Sequence, residues 1–251
     1  AALGGARGAA EAQEGALRVE AMGDGTASFV YPVQADVEVC DHGVRMDGGR
    51  MSWGHVHTGE PERCSRGEAR VVLRVAGGTV TGVELGPSGG EPPAGRDLGV
   101  VAGPDAADFL LSLAWRGATA DAAADAIPAA ALARDAEAWP GMLDIARDRD
   151  LGGDLRQAAL FWVSRAAAEA VTGDLADIAR DAGEAQDVKN AAVFALSRRP
   201  VAESVAALME IARDAPERET RRTAMFWLAR LDDPRVVPFF EAILSGRAPS
   251  G

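Results

Sequence analysis

The side chains best suited to metal or redox chemistry lie close together in the chain. All three histidines and both cysteines fall within 25 residues: Cys40, His42, His55, His57 and Cys64. In an extended segment, Cys40 and His42 would share one face, as would His55 and His57. Imidazole and thiolate ligands suit zinc and copper. The cluster therefore predicts either a metal site or a Cys40–Cys64 disulfide with histidines around it, although the spacing is not that of a standard zinc finger.

We favour the disulfide for reasons of compartment. The chain starts with small residues at Ala1, as it would after cleavage by a signal peptidase. Two cysteines in a small glycine-rich region of an exported protein typically form a bridge. We therefore expect a periplasmic or secreted bacterial protein with Cys40 joined to Cys64 and with no cofactor. A metal bound by His42, His55 and His57 is the alternative.

The chain carries no catalytic motif. Ser52 and Ser65 lie near the histidines in sequence, but neither sits in a Gly-x-Ser-x-Gly turn. Residues 86–95 are rich in glycine and proline but lack the Gly-Lys-Ser/Thr end of a phosphate loop. The net charge of −12 argues against a nucleic-acid partner, and no apolar run is long enough to span a bilayer. We predict that the protein is not an enzyme.

The composition changes near Gly103. Residues 1–103 hold 21 of the 29 glycines and 14 alanines, whereas residues 104–251 hold 38 alanines. Glycine marks turns and alanine favours helices. We therefore predict an α+β fold, with a loose arm at residues 1–15, a β-rich domain at 16–103 and an all-α domain at 104–251.

The β-rich region contains one clear hairpin, and the helical region opens with two helices. The hairpin covers residues 69–85, with two β-branched runs around Gly77-Gly78. A helix is predicted from Gly103 to about Arg116, because proline and aspartate suit its first turn. A shorter helix at Ala120–Ala126 is predicted to be ended or kinked by Pro128.

Two sequence motifs recur with one period in the helical region. Residues 155–165 resemble 188–198 and 220–230, at offsets of 33 and 32. A second motif, Ile145–Asp148, returns at Ile178–Asp181 and at Ile211–Asp214. A period of 33 residues that contains two helices is typical of a solenoid of antiparallel helix pairs.

The first motif consists of an acidic residue, an apolar residue or threonine, a basic residue and a small pair. Its copies are Asp154-Leu155-Arg156 with Ala158-Ala159, Asp187-Val188-Lys189 with Ala191-Ala192, and Glu219-Thr220-Arg221 with Thr223-Ala224. This pattern resembles the short HEAT-like repeats of the phycobilisome-lyase type, over about residues 135–246. The whole layout is similar to bacterial extracytoplasmic HEAT-repeat proteins with a small cysteine-containing β-rich front. The resemblance implies a scaffold that holds partners, and it implies no catalytic residue.

Two further rows recur in the first motif. Phe161, Phe194 and Phe226 fall at equivalent positions, and helical spacing predicts that most such aromatic residues are core. The second row consists of arginines near helix C-termini: Arg165, Arg198 and Arg230. These side chains could cap terminal carbonyls, which we favour, or line one groove as an anion-binding row.

We predict a non-enzymatic interaction scaffold, an accessory subunit of a larger membrane-associated assembly whose anchor the partner supplies. The alternative is a metal-binding protein or metallo-hydrolase built on the Cys/His cluster. The partner-binding surface is predicted on the second helices, where acidic residues precede arginines by three positions. These residues, termed the charge ladder, are Asp144, Arg147, Asp177, Arg180, Glu210 and Arg213. Each i,i+3 pair can bridge on its own helix, or the ladder can face a partner of alternating charge.

Overall fold

The computed structural model describes residues 18–46, 49–52, 62–89, 91–165 and 170–245. Within these residues, β-strands form the N-terminal side of a mixed α/β chain and nine helices follow them. The predicted order of a β-rich front and a helical back is thus confirmed. The predicted arm at residues 1–15 lies outside the described residues.

One helical turn, α1 (Val19–Met22), precedes the strands. The strands are β1 (Gly25–Pro32), β2 (Glu38–Cys40), β3 (Gly43–Met46), β4 (Gly49–Ser52), β5 (Cys64–Arg66), β6 (Glu68–Ala76), β7 (Thr79–Pro87) and β8 (Arg96–Val100). The helices that follow are α2 (Gly103–Ser112), α3 (Ala120–Ala131), α4 (Trp139–Arg147), α5 (Gly153–Val163), α6 (Ala170–Arg180), α7 (Gln186–Ser197), α8 (Val201–Asp214), α9 (Arg218–Leu228) and α10 (Val236–Leu244).

The strands form two four-stranded sheets. The first has the order β7-β6-β1-β8, with β8 parallel to β1 and the other pairs antiparallel. The second has the order β4-β3-β2-β5 and is antiparallel throughout. The predicted hairpin is β6 and β7. Its turn residues, Gly77 and Gly78, have φ angles of 57° and 71°, a conformation that side chains with a Cβ rarely adopt.

One face of the first sheet carries the core of the N-terminal side. Phe29 and Tyr31 on β1 are fully buried, as is Leu73 on β6. The Phe29 ring meets the edge of Phe109 on α2, with centroids 6.2 Å apart. The Tyr31 hydroxyl donates a 2.8 Å hydrogen bond to the carbonyl of Ala129 on α3. Burial raises the pKa of Tyr31, which keeps the hydroxyl protonated as a donor.

The first two long helices differ from prediction at their ends. Helix α2 stops at Ser112, because the following N–H groups bond to carbonyls three residues back and Gly117 turns the chain with a φ of 78°. Helix α3 begins at the Thr119 cap and passes through Pro128 to Ala131. Of the two effects predicted for Pro128, an end of the helix is wrong, because α3 continues for three residues beyond it. Pro128 lies at the start of the last turn, and its missing N–H group leaves only the carbonyl of Ala124 without an i→i−4 donor.

The chain divides into two compact units, Ala1–Pro140 and Gly141–Gly251. The first unit holds the sheets together with α2 and α3, so its end does not coincide with the composition change at Gly103. In the second unit the two repeated motifs lie on alternate helices. Helix α7 packs against α5, α6, α8 and α9. Ala159, Ala192 and Ala224, the small residues of the first motif, are fully buried on α5, α7 and α9.

Candidate functional site

Cys40 and Cys64 lie opposite each other on β2 and β5 and form a disulfide, which confirms the predicted pairing. Together with Glu38 they are the described residues that come close enough to share a metal ion. Both sulfurs are bonded to each other, however, and a metal needs a thiolate. The site is therefore a covalent link between two strands rather than a set of metal ligands.

The carboxylates beside the disulfide are already paired with an arginine side chain. Arg45 donates a 2.9 Å hydrogen bond to Glu38 and a 2.8 Å hydrogen bond to Glu62. The hydrogen bond to Glu38, with the charge of Glu62, raises the pKa of Arg45. Of the predicted ligands, His42 lies in the turn between β2 and β3. His55 and His57 lie outside the described residues, so the histidine metal site stays a prediction.

The first unit also has a groove of about 680 Å³ along β6 and β7. Three arginines line it, and each has an internal acceptor. Arg63 pairs with Asp41 at 3.1 Å, and Arg74 pairs with Glu84. Arg70 donates to the carbonyl of Ser88 at 3.4 Å. The groove thus has a charge-balanced lining rather than an open anion site.

Asp125 on α3 also lines this groove, and burial together with the nearby Asp121 raises its pKa. A carboxyl group with a raised pKa can act as a general acid or base. Such a group needs a reacting partner, and the described lining of the groove contains no histidine, cysteine or serine. Its described acidic lining consists of Asp41, Glu84, Glu91 and Asp125.

The charge ladder of the second unit joins neighbouring helices. Arg147 on α4 pairs with Asp174 on α6 at 2.5 Å. Arg180 on α6 pairs with Glu210 on α8 at 3.3 Å. Both contacts join alternate helices, but Asp174 lies three residues before Asp177, the residue equivalent to Glu210, so the two contacts differ by about one helical turn. The ladder is an electrically mixed surface whose described arginines are balanced within the unit.

The i,i+3 spacing of the ladder allows an ion pair within each helix, but not every such pair forms among the described residues. The Asp177–Arg180 pair forms at 3.2 Å as an i,i+3 bridge. Arg213 pairs instead with its neighbour Asp214 at 3.0 Å. All these side chains are partly or largely exposed, so each pair contributes little to stability.

A second repeated set of cations lies inside the helical unit, and its role is not apparent from the sequence. Arg156 on α5 has only 5% of its side chain exposed and pairs with Glu184, whose side chain is equally buried. It also donates to the carbonyl of Ala146 at 2.9 Å. Burial opposes ionisation of Glu184, but hydrogen bonds from Arg156 and from the Ala185 N–H outweigh it and lower the pKa of Glu184.

The next two repeats use the same position. Lys189 on α7 is 3% exposed and pairs with Glu217 at 2.9 Å. Arg221 on α9 donates to the carbonyls of Ala215 and Pro216 at 2.6 and 2.8 Å. The basic residue of the first motif thus ties its helix to the chain segment that closes a neighbouring helix. Its recurrence is therefore structural.

The repeated phenylalanines form a continuous row on the surface. Phe161 and Phe194 stack with centroids 6.4 Å apart and planes 13° apart, and Phe194 meets Trp227 at 5.0 Å. Phe161 and Phe194 are half-buried, whereas Phe226 is 48% exposed. The buried ring is Trp162, one residue after Phe161. The prediction that these phenylalanines are core residues is thus wrong for Phe226 and only partly correct for the other two.

The repeated arginines are exposed at the C-terminal ends of the same helices: Arg165, Arg198 and Arg230. Arg230 donates to the carbonyl of Phe226 at 2.9 Å, as predicted for a capping role. Its guanidinium carbon also lies 3.5 Å from the centre of the Phe226 ring. A pocket of about 460 Å³ opens between Arg165 and Arg198.

No helix among the described residues is long and apolar enough to cross a membrane. Comparison with protein-family models, with curated proteins and with solved structures found no match to the chain.

Proposed function

We propose that the protein is a non-enzymatic scaffold whose helical unit, a HEAT-like solenoid of antiparallel helix pairs, binds another protein. The observation that carries this proposal is the recurrence of one contact at one position: Arg156 with Glu184, and Lys189 with Glu217. Repeats that stack through the same contact place their surface residues in rows, and such rows form the extended binding surfaces of solenoid proteins.

We further propose that the partner belongs to a membrane-associated assembly outside the cytoplasm. The disulfide between Cys40 and Cys64 supports an oxidising compartment. The partner would supply the membrane anchor in this arrangement. The alternative function, metal binding through His42, His55 and His57, gains no support from a described contact.

The charge ladder supplies a test of this function. Changing Arg147, Arg180 and Arg213 together to glutamate is expected to abolish capture of a partner of alternating charge, because each new carboxylate would repel an acidic group of the partner that faced the arginine. The measurement is a pull-down of the full chain from its native host, followed by quantitative mass spectrometry. Capture by the unaltered chain should also weaken as salt rises.

The control changes net charge equally without touching the helical unit. Arg66, Arg116 and Arg134 are exposed in the first unit, and their reversal to glutamate should leave capture intact. Circular dichroism must show that both triple variants are folded. Full capture by a folded ladder variant would remove the ladder from the interface, and no specific capture by the unaltered chain would contradict the scaffold function.

A further inference from the structure

We propose that a second surface of the helical unit docks an extended acidic segment of a partner protein. This surface, termed the aromatic–arginine face, comprises Phe161, Arg165, Phe194, Arg198, Phe226 and Arg230. The proposal rests on the protein-binding function above and assigns to it a location and a partner chemistry that differ from those of the charge ladder.

The same pair of side chains, a phenylalanine and an arginine, occurs three times on this face. Each of α5, α7 and α9 carries a phenylalanine, and an arginine follows it four residues later, one or two residues past the helix end. The N–H group of each arginine bonds to the carbonyl three residues back, so the chain is still turning at this point. In the third copy, the Arg230 guanidinium lies on the Phe226 ring, which shows the two side chains acting as one surface.

The three copies are contiguous. Phe161 stacks on Phe194, and Phe194 contacts Trp227 beside Phe226. The rings therefore form an apolar strip that crosses all three helices, and its exposure increases toward Phe226. Single exposed apolar residues are ordinary on a protein surface, but a contiguous strip is typical of an interaction site.

The charge of this face opposes that of the chain. The protein carries a net charge of −12, yet two of the arginines here, Arg198 and Arg230, are not neutralised as those of the ladder are. Within the described residues, no carboxylate forms an ion pair with Arg198 or Arg230. The pocket of about 460 Å³ beside Arg198 has room for a carboxylate side chain. Guanidinium groups favour carboxylates because two N–H groups can donate to both oxygens.

The spacing of the rows indicates an extended occupant. Packed helices lie about 8–10 Å apart, and a chain in the extended polyproline II conformation advances about 3.1 Å per residue with three residues per turn. Acidic residues at every third position of such a chain lie on one side of it, about 9 Å apart, and would therefore meet successive arginines. Apolar residues between them would cover the aromatic strip. We assign the face to a partner segment of that pattern.

The test uses a fluorescein-labelled peptide of four Asp-Leu-Ser repeats and the full chain, with binding followed by fluorescence anisotropy. We expect saturable binding, and we expect Arg198→Glu plus Arg230→Glu to weaken it at least tenfold. The peptide of four Arg-Leu-Ser repeats should not bind. A charge-matched variant, Arg66→Glu plus Arg116→Glu, should stay within twofold of the unaltered chain, because both residues lie in the other compact unit.

Three results would overturn the proposal: no binding of the acidic peptide, equal binding of the basic peptide, or full affinity of the folded Arg198/Arg230 variant. The partner pull-down separates this failure from failure of the scaffold function. If native capture persists in the Arg198/Arg230 variant while the peptide does not bind, this face is excluded and the scaffold function stands. If the unaltered chain captures no partner, the scaffold function itself fails.

Discussion

Arg156→Ala is expected to lower the free energy of unfolding by about 3–5 kcal/mol, because it leaves the buried carboxylate of Glu184 without its cation. The substitution also removes the hydrogen bond to the Ala146 carbonyl, which ties α5 to α4. Urea unfolding followed by circular dichroism measures the change. Arg213→Ala, which breaks an exposed pair on α8, should change the free energy of unfolding by no more than about 0.5 kcal/mol.

The double variant Arg156→Met plus Glu184→Gln should recover much of the lost stability, since it removes both buried charges at once. A loss for Arg156→Ala no larger than that for Arg213→Ala would show that the buried pair does not stabilise the unit.

The same pair predicts a pH dependence. Because the pKa of Glu184 is lowered in the folded protein, its stabilising contribution is complete above the ordinary range of a glutamate carboxyl group. The contribution is lost as the pH falls through that range and through the lower folded value. The stability difference between the unaltered chain and Glu184→Gln should therefore be largest near neutral pH and shrink in acid. A difference that grows on acidification would contradict the lowered pKa.

Removal of the disulfide by Cys40→Ala plus Cys64→Ala is expected to cost about 3 kcal/mol, because the bond closes a loop of about 25 residues in the unfolded chain. Hydrogen exchange should locate the loss in β2, β3 and β5, which the bond and its neighbours hold together. The reference measurement is the unaltered chain with and without a reducing agent. The alanine variant should not respond to reduction.

Mass spectrometry of protein purified from its native host tests the compartment separately. Two free thiols in that protein would argue strongly against export to an oxidising compartment, even if the bond forms in protein from another source.

Local chemistry decided which parts of the fold could be predicted from the sequence. The Gly77-Gly78 turn needs positive φ angles that glycine supplies, so the hairpin is readable from its residues alone. The 33-residue period likewise predicts alternating helices. Pro128 shows the limit of this reasoning. The free-energy cost of a proline within a helix depends on how near the helix end lies. In α3 that end lies beside a tertiary contact, the hydrogen bond from Tyr31 to the Ala129 carbonyl.

The candidate surfaces were harder to predict, because they depend on which side of a helix faces its neighbours. Helical spacing predicted packing for the repeated phenylalanines, yet Phe161 is half-buried while the adjacent Trp162 is buried. A helix that contacts neighbours on several sides has a broad apolar stripe, and periodicity does not locate the stripe's edge. The pairing of Arg156 with Glu184 spans 28 residues and has no local signature.

The burial of Lys189 has a consequence for how this protein can be labelled. It is the only lysine in the sequence, and 3% of its side chain is exposed while its ammonium group is held by Glu217. Acylating reagents must reach the amine, and this side chain becomes accessible only after α7 opens. Lys189 of the folded chain should therefore resist acylating cross-linkers and dyes, and contacts of the helical unit are better mapped with carboxylate-directed or photoreactive reagents. Conversely, the rate at which Lys189 becomes acylated reports at one site how often the helical unit opens.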